Sequence, residues 1–440
     1  MKSGACWIIA LSLGISATAS AQIKRTTVPL GDAVDKALAK GSLTYGDAQP
    51  FHIRVSITEP ENPQSPYQGA IEEWWVSADQ WRREVTDKDG LHQTIVVSDG
   101  KKTEKDEGDY FPLWLRNFET AIFDPIPNPA AWKMNGAVIE QITMPNGARS
   151  EPSVRAKSKI GTGDRATDAF SNLSFDSEGR LSFFGGPRYS MEFHEYKSFG
   201  KKEIPRKLVD NPEPGTTLVG QVLVLENEAK TANRASLFTP LPVNDDRFQS
   251  AAVNSEQMEK LSEDNPPIEW PPVRSGNIHG HLAMYISADT EGNVREAWPL
   301  NSDNAGLEDP ARDQVRKWKL KAAIDKNGKR VQVDGGLGFV FDTKIGDPLP
   351  VIRGAQIDTQ SSGCGYLPIL PPGLLPSGTT FKITVGVNEE GKLTGESFPP
   401  AIPWEVIQKA GLHTGDCKFK PYFVNGKATY YGVEFVFTAP

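Results

Sequence analysis

The residues that could do chemistry in this chain are few and scattered. His279-Gly280-His281 brings two imidazoles together. A zinc site needs three or four ligands, and nothing nearby completes one, so the start of a strand is expected there. Gly161-Thr162-Gly163 suggests a phosphate loop, but it lacks a third glycine and a strand-to-helix setting, which makes it a loop. Trp74, Trp75 and Trp81 could line a ligand groove or simply pack a core. The basic run Arg316, Lys317, Lys319 and Lys321 could meet an anionic lipid or be the solvated side of a helix. The sequence holds no Gly-x-Ser-x-Gly elbow, no P-loop, no His-Glu-x-x-His and no paired Cys-x-x-Cys. No catalytic residue, cofactor or metal ligand is therefore assigned, and the chain is expected not to be an enzyme.

Charge and length narrow the classes further. The 440 residues carry a net charge of -8 with acidic and basic side chains interspersed, which does not fit the basic face of a nucleic-acid binder. That length suggests about two to four domains. At the N-terminus Lys2 precedes an apolar run from Ala5 to Ile15, then small residues ending Ala19-Ser20-Ala21. This pattern reads as a cleaved secretory signal over 1–21, with Gln22 first in the mature chain. The run is shorter than the roughly 20 apolar residues a membrane span needs. No later segment is long and apolar enough to span, so an exported, periplasmic location is expected. Export also suits Cys364 and Cys417, the pair left after the signal, as a disulfide candidate; two separate buried thiols are the alternative.

The elements that must position these residues begin with a β-rich domain over 22–236. Ile53, Val55 and Ile57 alternate, and runs at 71–76, 81–85 and 93–97 follow, separated by Asp/Gly/Ser turns. Such spacing makes an antiparallel meander. Phe111, Leu115, Phe118 and Ile122 form a helical stripe expected to lie across the sheet. Further strands are expected at 138–144, 173–175, 181–184, 189–196 and 218–225. One twisted antiparallel sheet with a helix on its concave side fits this order. Gly69 to Trp75 with Gln80-Trp81-Arg82, then Leu173-Ser174-Phe175-Asp176 before Gly179-Arg180-Leu181, and Phe199-Gly200-Lys201 to Ile204-Pro205-Arg206 resemble the LolA-like periplasmic half-barrels. The resemblance implies a curved sheet that holds lipids or lipoprotein acyl chains.

A proline-punctuated linker is expected over 237–275, with one short helix near Ser255 to Leu261. Beyond it the sequence repeats. In the first copy Leu282, Met284 and Ile286 alternate, Asp289 to Asn293 turns, and Val294 to Trp298 returns. Asp309 suits an N-cap and Pro310 a first turn, with Ala311, Val315 and Trp318 on one helical face. Asn327-Gly328-Lys329 then turns into a strand ending Phe339-Val340-Phe341. In the second copy Phe381, Ile383, Val385 and Val387 alternate, Asn388 to Lys392 turns, and Pro403 to Ala410 is a short helix. Cys417-Lys418-Phe419-Lys420-Pro421 and Asn425-Gly426-Lys427 lead to Phe435-Val436-Phe437.

Both copies resemble the TonB C-terminal domain. The first does so through Trp318-Lys319-Leu320-Lys321-Ala322 and Phe339-Val340-Phe341, the second through Cys417 to Pro421 and Phe435 to Phe437. Cys417 stands where that family has Trp, and the family's membrane helix and long Pro-rich spacer are missing. The resemblance implies modules over 276–344 and 345–440, each β-β-α-β with a three-stranded sheet and a helix on one face. The expectation is thus an α+β, non-catalytic envelope protein that binds a protein partner through sheet edges. The strand from Tyr430 to Phe437 supplies one such edge. The alternative is a periplasmic lipid or lipoprotein carrier that uses the N-terminal sheet.

Overall fold

The computed structural model describes residues 24–133, 138–143, 153–213, 216–227, 235–245, 247–273, 276–346, 351–353, 373, 375–397, 419–424 and 426–439. The signal over 1–21, Cys364, Cys417 and the helix expected at Pro403 to Ala410 lie outside them. The chain divides into two compact units. One holds residues up to 157 and 170–246; the other holds 158–169 and 247–440.

In the first unit β1 (Lys24–Pro29) leads into α1 (Leu30–Gly41). Leu30, Val34, Ala37 and Leu38 are buried along one side of α1, the spacing of a helical stripe. Extended backbone at Ser42 ends the helix, its N–H bonded to the Leu38 carbonyl at 3.0 Å. The meander follows as β2 (Phe51–Thr58), β3 (Gly69–Ser77), β4 (Gln80–Asp87), β5 (His92–Ser98) and β6 (Lys101–Glu107). Phe51, Ile53, Val55 and Ile57 are all buried, so alternate side chains of β2 face the core as expected. β6 is Lys101-Lys102-Thr103-Glu104-Lys105-Asp106-Glu107. No apolar alternation marks it; its place is fixed by pairing with β5 and by the buried Gln93–Glu104 bond of 2.7 Å.

The expected helical stripe is α2 (Leu113–Phe123), which starts after Pro112 and buries Leu115, Phe118 and Ile122. A short α3 (Pro129–Lys133) and β7 (Val138–Thr143) come next, and β7 pairs with β1. The chain continues through β8 (Ser153–Ile160), β9 (Thr167–Phe175), β10 (Leu181–Gly185) and β11 (Ser190–His194). A small hairpin of β12 (Lys197–Phe199) and β13 (Lys202–Ile204) leads to β14 (Lys207–Glu213) and β15 (Thr216–Glu226). Eleven strands make one open sheet in the order β6-β5-β4-β3-β2-β15-β14-β11-β10-β9-β8. β15 thus returns to pair antiparallel with β2.

In the second unit the stretch expected as a linker carries β16 (Ser250–Val253) and α4 (Ser255–Ser262). Asn254 and Gln257 close a capping box at the start of α4. β16 is too short to show a period, yet it pairs in parallel with the far strand of the next module. That module comprises β17 (His279–Ala288), β18 (Val294–Ser302), α5 (Glu308–Val315), β19 (Ala323–Ile324) and β20 (Arg330–Asp342). The helix begins at Glu308, so Asp309 lies inside it and pairs with Arg312 at 2.8 Å instead of capping. Ala311, Val315 and Trp318 join Leu282, Met284, Ile286 and Phe341 in one core.

The last sheet contains β21 (Val351–Arg353), β22 (Thr380–Val387), β23 (Leu393–Ser397) and β26 (Tyr431–Thr438); β24 (Tyr422–Val424) and β25 (Lys427–Thr429) pair as a hairpin. Neither sheet is the expected three-stranded one, because β16 and β21 each add a parallel strand to the closing strand. The edge expected to be free along Tyr430 to Phe437 is therefore occupied by β21 at Gly432, Val433 and Glu434.

The two sheets carry corresponding contacts. In each, the glycine after the first strand has positive φ, 86° at Gly292 and 84° at Gly391. Each glycine carbonyl accepts from a backbone N–H further on, Leu320 at 2.7 Å and Phe419 at 3.0 Å. A Cβ on Gly292 would lie 2.1 Å from the Leu320 carbonyl oxygen, and one on Gly391 would lie 2.0 Å from that of Phe419. Asp289 and Asn388 open the two turns, each side-chain oxygen accepting two backbone N–H groups.

Candidate functional site

In the first unit apolar side chains converge between the sheet and its two main helices. α1 supplies Ala37, Leu38 and Gly41, and α2 supplies Ala121 and Ile122. The chain after α2 adds Pro125 and Ile126. Strands bring Ile53 from β2, Leu181 from β10, Phe193 from β11, Leu208 from β14 and Val222 from β15. These strands are scattered along the sequence, yet the sheet order sets β2, β15, β14, β11 and β10 side by side. A cavity of about 20 Å³ remains in this seam, room for about one water molecule.

Of the polar side chains nearby, Tyr196 lines the seam, while the buried Asp210 and Asn117 are not among its lining residues. The Tyr196 hydroxyl donates to the Leu181 carbonyl at 2.5 Å. Burial, and then the charge of Asp176, pushes the Tyr196 phenol well above its ordinary value, so the side chain stays neutral. Asp210 is two residues beyond Leu208 on β14 and is 2% exposed; alternation places it on the same face as Leu208. Burial pushes its carboxyl up to about 7. On α2 the fully buried Asn117 donates to the Arg188 carbonyl at 3.4 Å, while its own Oδ1 has no hydrogen-bond partner.

A charged cluster ties α2 to the meander. Arg83 on β4 donates from Nε to Glu73 at 2.5 Å and from Nη1 to Glu119 of α2. Its guanidinium lies 3.8 Å from the centre of the Phe123 ring, a cation–π geometry. Burial opposes the charge on Arg83, but Glu73 and Glu119 outweigh it and hold the guanidinium above its ordinary value. Arg83 is thus a fixed cation beneath the end of α2.

Trp75 and Trp81 share one face of the sheet and Trp74 points to the other. Trp75 stacks on the buried Phe51 at 5.5 Å, and Trp81 pairs with Trp75 across the strands and meets Arg83 at 5.1 Å. Trp74 stacks on His52 at 5.0 Å, and as the neighbour of Trp75 in a strand it points to the opposite face. None of the three lines the seam. His279 and His281 sit on β17 with separate partners: His279 meets Asp342 at 2.7 Å, and His281 meets Asp303 at 3.4 Å. Among the described residues no three His, Cys, Asp or Glu side chains converge as a metal site would require. Gly161-Thr162-Gly163 is the tip of the β8–β9 hairpin, where Thr162 donates to Glu259 from both its N–H, at 3.0 Å, and its hydroxyl, at 2.6 Å. Of the basic run, Lys321 pairs with Glu263 and Asp264.

The seam residues of α1 are absent from the sequence reading because α1 itself is. The signal was present: Leu30, Val34, Ala37 and Leu38 repeat at helical spacing.

No family model and no curated protein matches the chain. Among solved structures, a domain named for outer membrane lipoprotein sorting, from Vibrio parahaemolyticus, is 12% identical with a TM-score of 0.23. The match covers 48% of this chain and 98% of that one. A LolA superfamily protein from Nitrosomonas europaea is 9% identical with a TM-score of 0.22, covering 46% of this chain and 94% of the other. At those values the overlap is too slight to set the fold or the function of this chain.

Proposed function

We propose that the chain is a non-catalytic, exported envelope protein whose first unit holds an apolar ligand, an acyl chain, between its sheet and the helices α1 and α2. The seam carries this reading: two helices and five adjacent strands direct apolar side chains into one place and leave it incompletely filled. A gap the size of one water is common in protein interiors; what singles this one out is its apolar lining by two helices and five adjacent strands. The cavity of about 20 Å³ admits no acyl chain as it stands, so uptake requires α1 or α2 to move away from the sheet. Moving α2 would break the Arg83–Glu119 pair and the Asn117–Arg188 hydrogen bond, so α1 is the helix expected to move. Binding through a sheet edge is less well supported, since β21 covers part of the strand that offered one.

The test is a titration of the purified protein with a fluorescent fatty acid and with a diacyl lipopeptide. Saturable binding is expected. Ala121→Leu, which fills the seam without introducing a charge, should weaken binding at least about tenfold while circular dichroism stays unchanged; a tenfold loss corresponds to about 1.4 kcal/mol. No binding by the wild type, or equal binding by a folded Ala121→Leu variant, overturns the proposal.

A further inference from the structure

We propose that Lys202 anchors the anionic head of the ligand in the first unit, so that the seam takes an acyl chain ending in a carboxylate or a phosphate; this rests on the acyl-chain reading of the seam. Lys202 and Ile204 are alternate residues of β13 and both are buried, so they face the same way. Ile204 lines the seam. The Lys202 ammonium donates to the Ser42 carbonyl at 2.7 Å and to the Tyr45 carbonyl at 2.5 Å. Ser42 lies between Gly41 and Leu43, which both line the seam at the end of α1. The ammonium therefore stands at the edge of the apolar lining. Solvent is close by, because Tyr45 and Lys201 are exposed.

Charge identifies the head. A buried lysine is ordinarily paired with a carboxylate, yet both acceptors of Lys202 are neutral carbonyls. Among the described residues no carboxylate reaches it. Asp47 is exposed and pairs with Lys201 at 3.9 Å, and Glu203 meets Arg180 at 3.7 Å. Burial pushes the Lys202 ammonium below its ordinary value, and the charge of Asp47 opposes this without reversing it. Capping the end of α1 explains the two bonds. It leaves the third donor of the ammonium and its charge unanswered. An anionic group at the end of an acyl chain supplies both an acceptor and the opposite charge. It also offsets the movement of α1. When α1 leaves the sheet the Ser42 and Tyr45 carbonyls go with it, and the anionic head takes their place on the ammonium. An ester or a hydroxyl head brings no charge to do so.

Calorimetric titration of the full chain with two ligand pairs tests this. Palmitate is set against methyl palmitate, and palmitoyl lysophosphatidic acid against monopalmitoylglycerol, so the members of each pair differ in charge. In at least one pair the anion should bind at least about tenfold tighter than its neutral partner; which pair shows it tells carboxylate from phosphate. Lys202→Gln keeps an N–H donor for the α1 carbonyls and removes the charge. It should lose the preference while keeping the neutral ligand, and Lys202→Arg should restore the preference, with circular dichroism reporting the fold of both variants. A purely capping lysine would leave the ratio of the two affinities unmoved. Equal binding within both pairs by the wild type, a result that needs no variant to fold, overturns the inference and leaves the acyl-chain reading standing. A preference that persists in folded Lys202→Gln does the same. Failure of the wild type to bind any of the four ligands overturns the acyl-chain reading and this inference with it.

Discussion

A single carboxylate shows how burial sets behaviour at the residue scale. Asp210 is 2% exposed on β14, and its carboxyl is pushed from an ordinary 3.8 up to about 7 by burial, with hydrogen bonds from the Asn211 N–H and the Ser190 side chain only partly opposing this. The folded state therefore holds the proton more tightly than the unfolded chain does. The stability this confers is full below about pH 4 and is lost as pH rises from there to about 7. Three pH units correspond to on the order of 4 kcal/mol. Asp210→Asn should remove this dependence. Urea midpoints of both proteins at pH 4.5 and 7.5 should therefore differ in slope, the wild type losing more stability at the higher pH. Parallel slopes would show that the carboxyl is not buried in this way. None of this was legible in the sequence, where Asp210 stands among Lys207, Asn211 and Glu213 as if on a surface. The histidines and tryptophans illustrate the converse. Their chemistry drew notice, but alternation sends Trp74 and Trp75 to opposite faces, and His279 and His281 each have a carboxylate of their own.

At the scale of elements, what was legible followed local period. The meander from β2 to β5 could be read because Ile53, Val55 and Ile57 alternate and Asp-Gly turns separate the strands. β6 could not, because lysines and carboxylates fill it; nor could β16 and β21, because four and three residues carry no period. The turn glycines were visible as turns, but the reason each must be glycine is tertiary. At Gly391 the backbone has φ 84°, and a Cβ would lie 2.0 Å from the Phe419 carbonyl oxygen. Gly391→Ala should therefore destabilise the last module by at least about 1 kcal/mol, since both strain and collision oppose alanine there. Gly292→Ala should do the same in the preceding module, where the corresponding distance is 2.1 Å. Thermal unfolding of the two variants should show losses of similar size. A loss confined to one of them would argue against equivalent turns.

At the scale of the whole molecule, the chain is not a string of consecutive domains, although a sequence is naturally segmented that way. Residues 158–169, the tip of the β8–β9 hairpin, cluster with the second unit, while the residues on either side belong to the first. The tip is held there by varied contacts. Ile160 and Ala169 are buried together with Ala283. The Gly161 N–H donates to Ser255 at 2.9 Å, Asn301 donates to the Asp168 carbonyl at 3.0 Å, and the His281 ring lies 3.0 Å from the Asp164 carbonyl. No period in the sequence announces such an insertion, because its signal lies in the partner strand. β20 has glycine at 335, 336 and 338, an unusual choice inside a strand except where another backbone must come close. At Gly338 a Cβ would stand 2.2 Å from the Arg165 carbonyl oxygen and 2.9 Å from the Gly161 Cα. Both neighbours are backbone, so neither can rotate aside. Gly338→Val should consequently push the tip off the sheet at a cost of about 1–3 kcal/mol, the usual range for overpacking. The peptide bond after Arg165 would then lose its packing, and trypsin should cut there faster in the variant than in the wild type, with a lowered thermal midpoint. Gly338→Val with wild-type resistance at Arg165 would mean that the glycine serves the strand alone and that the hairpin tip is held by its polar contacts to Ser255 and Glu259.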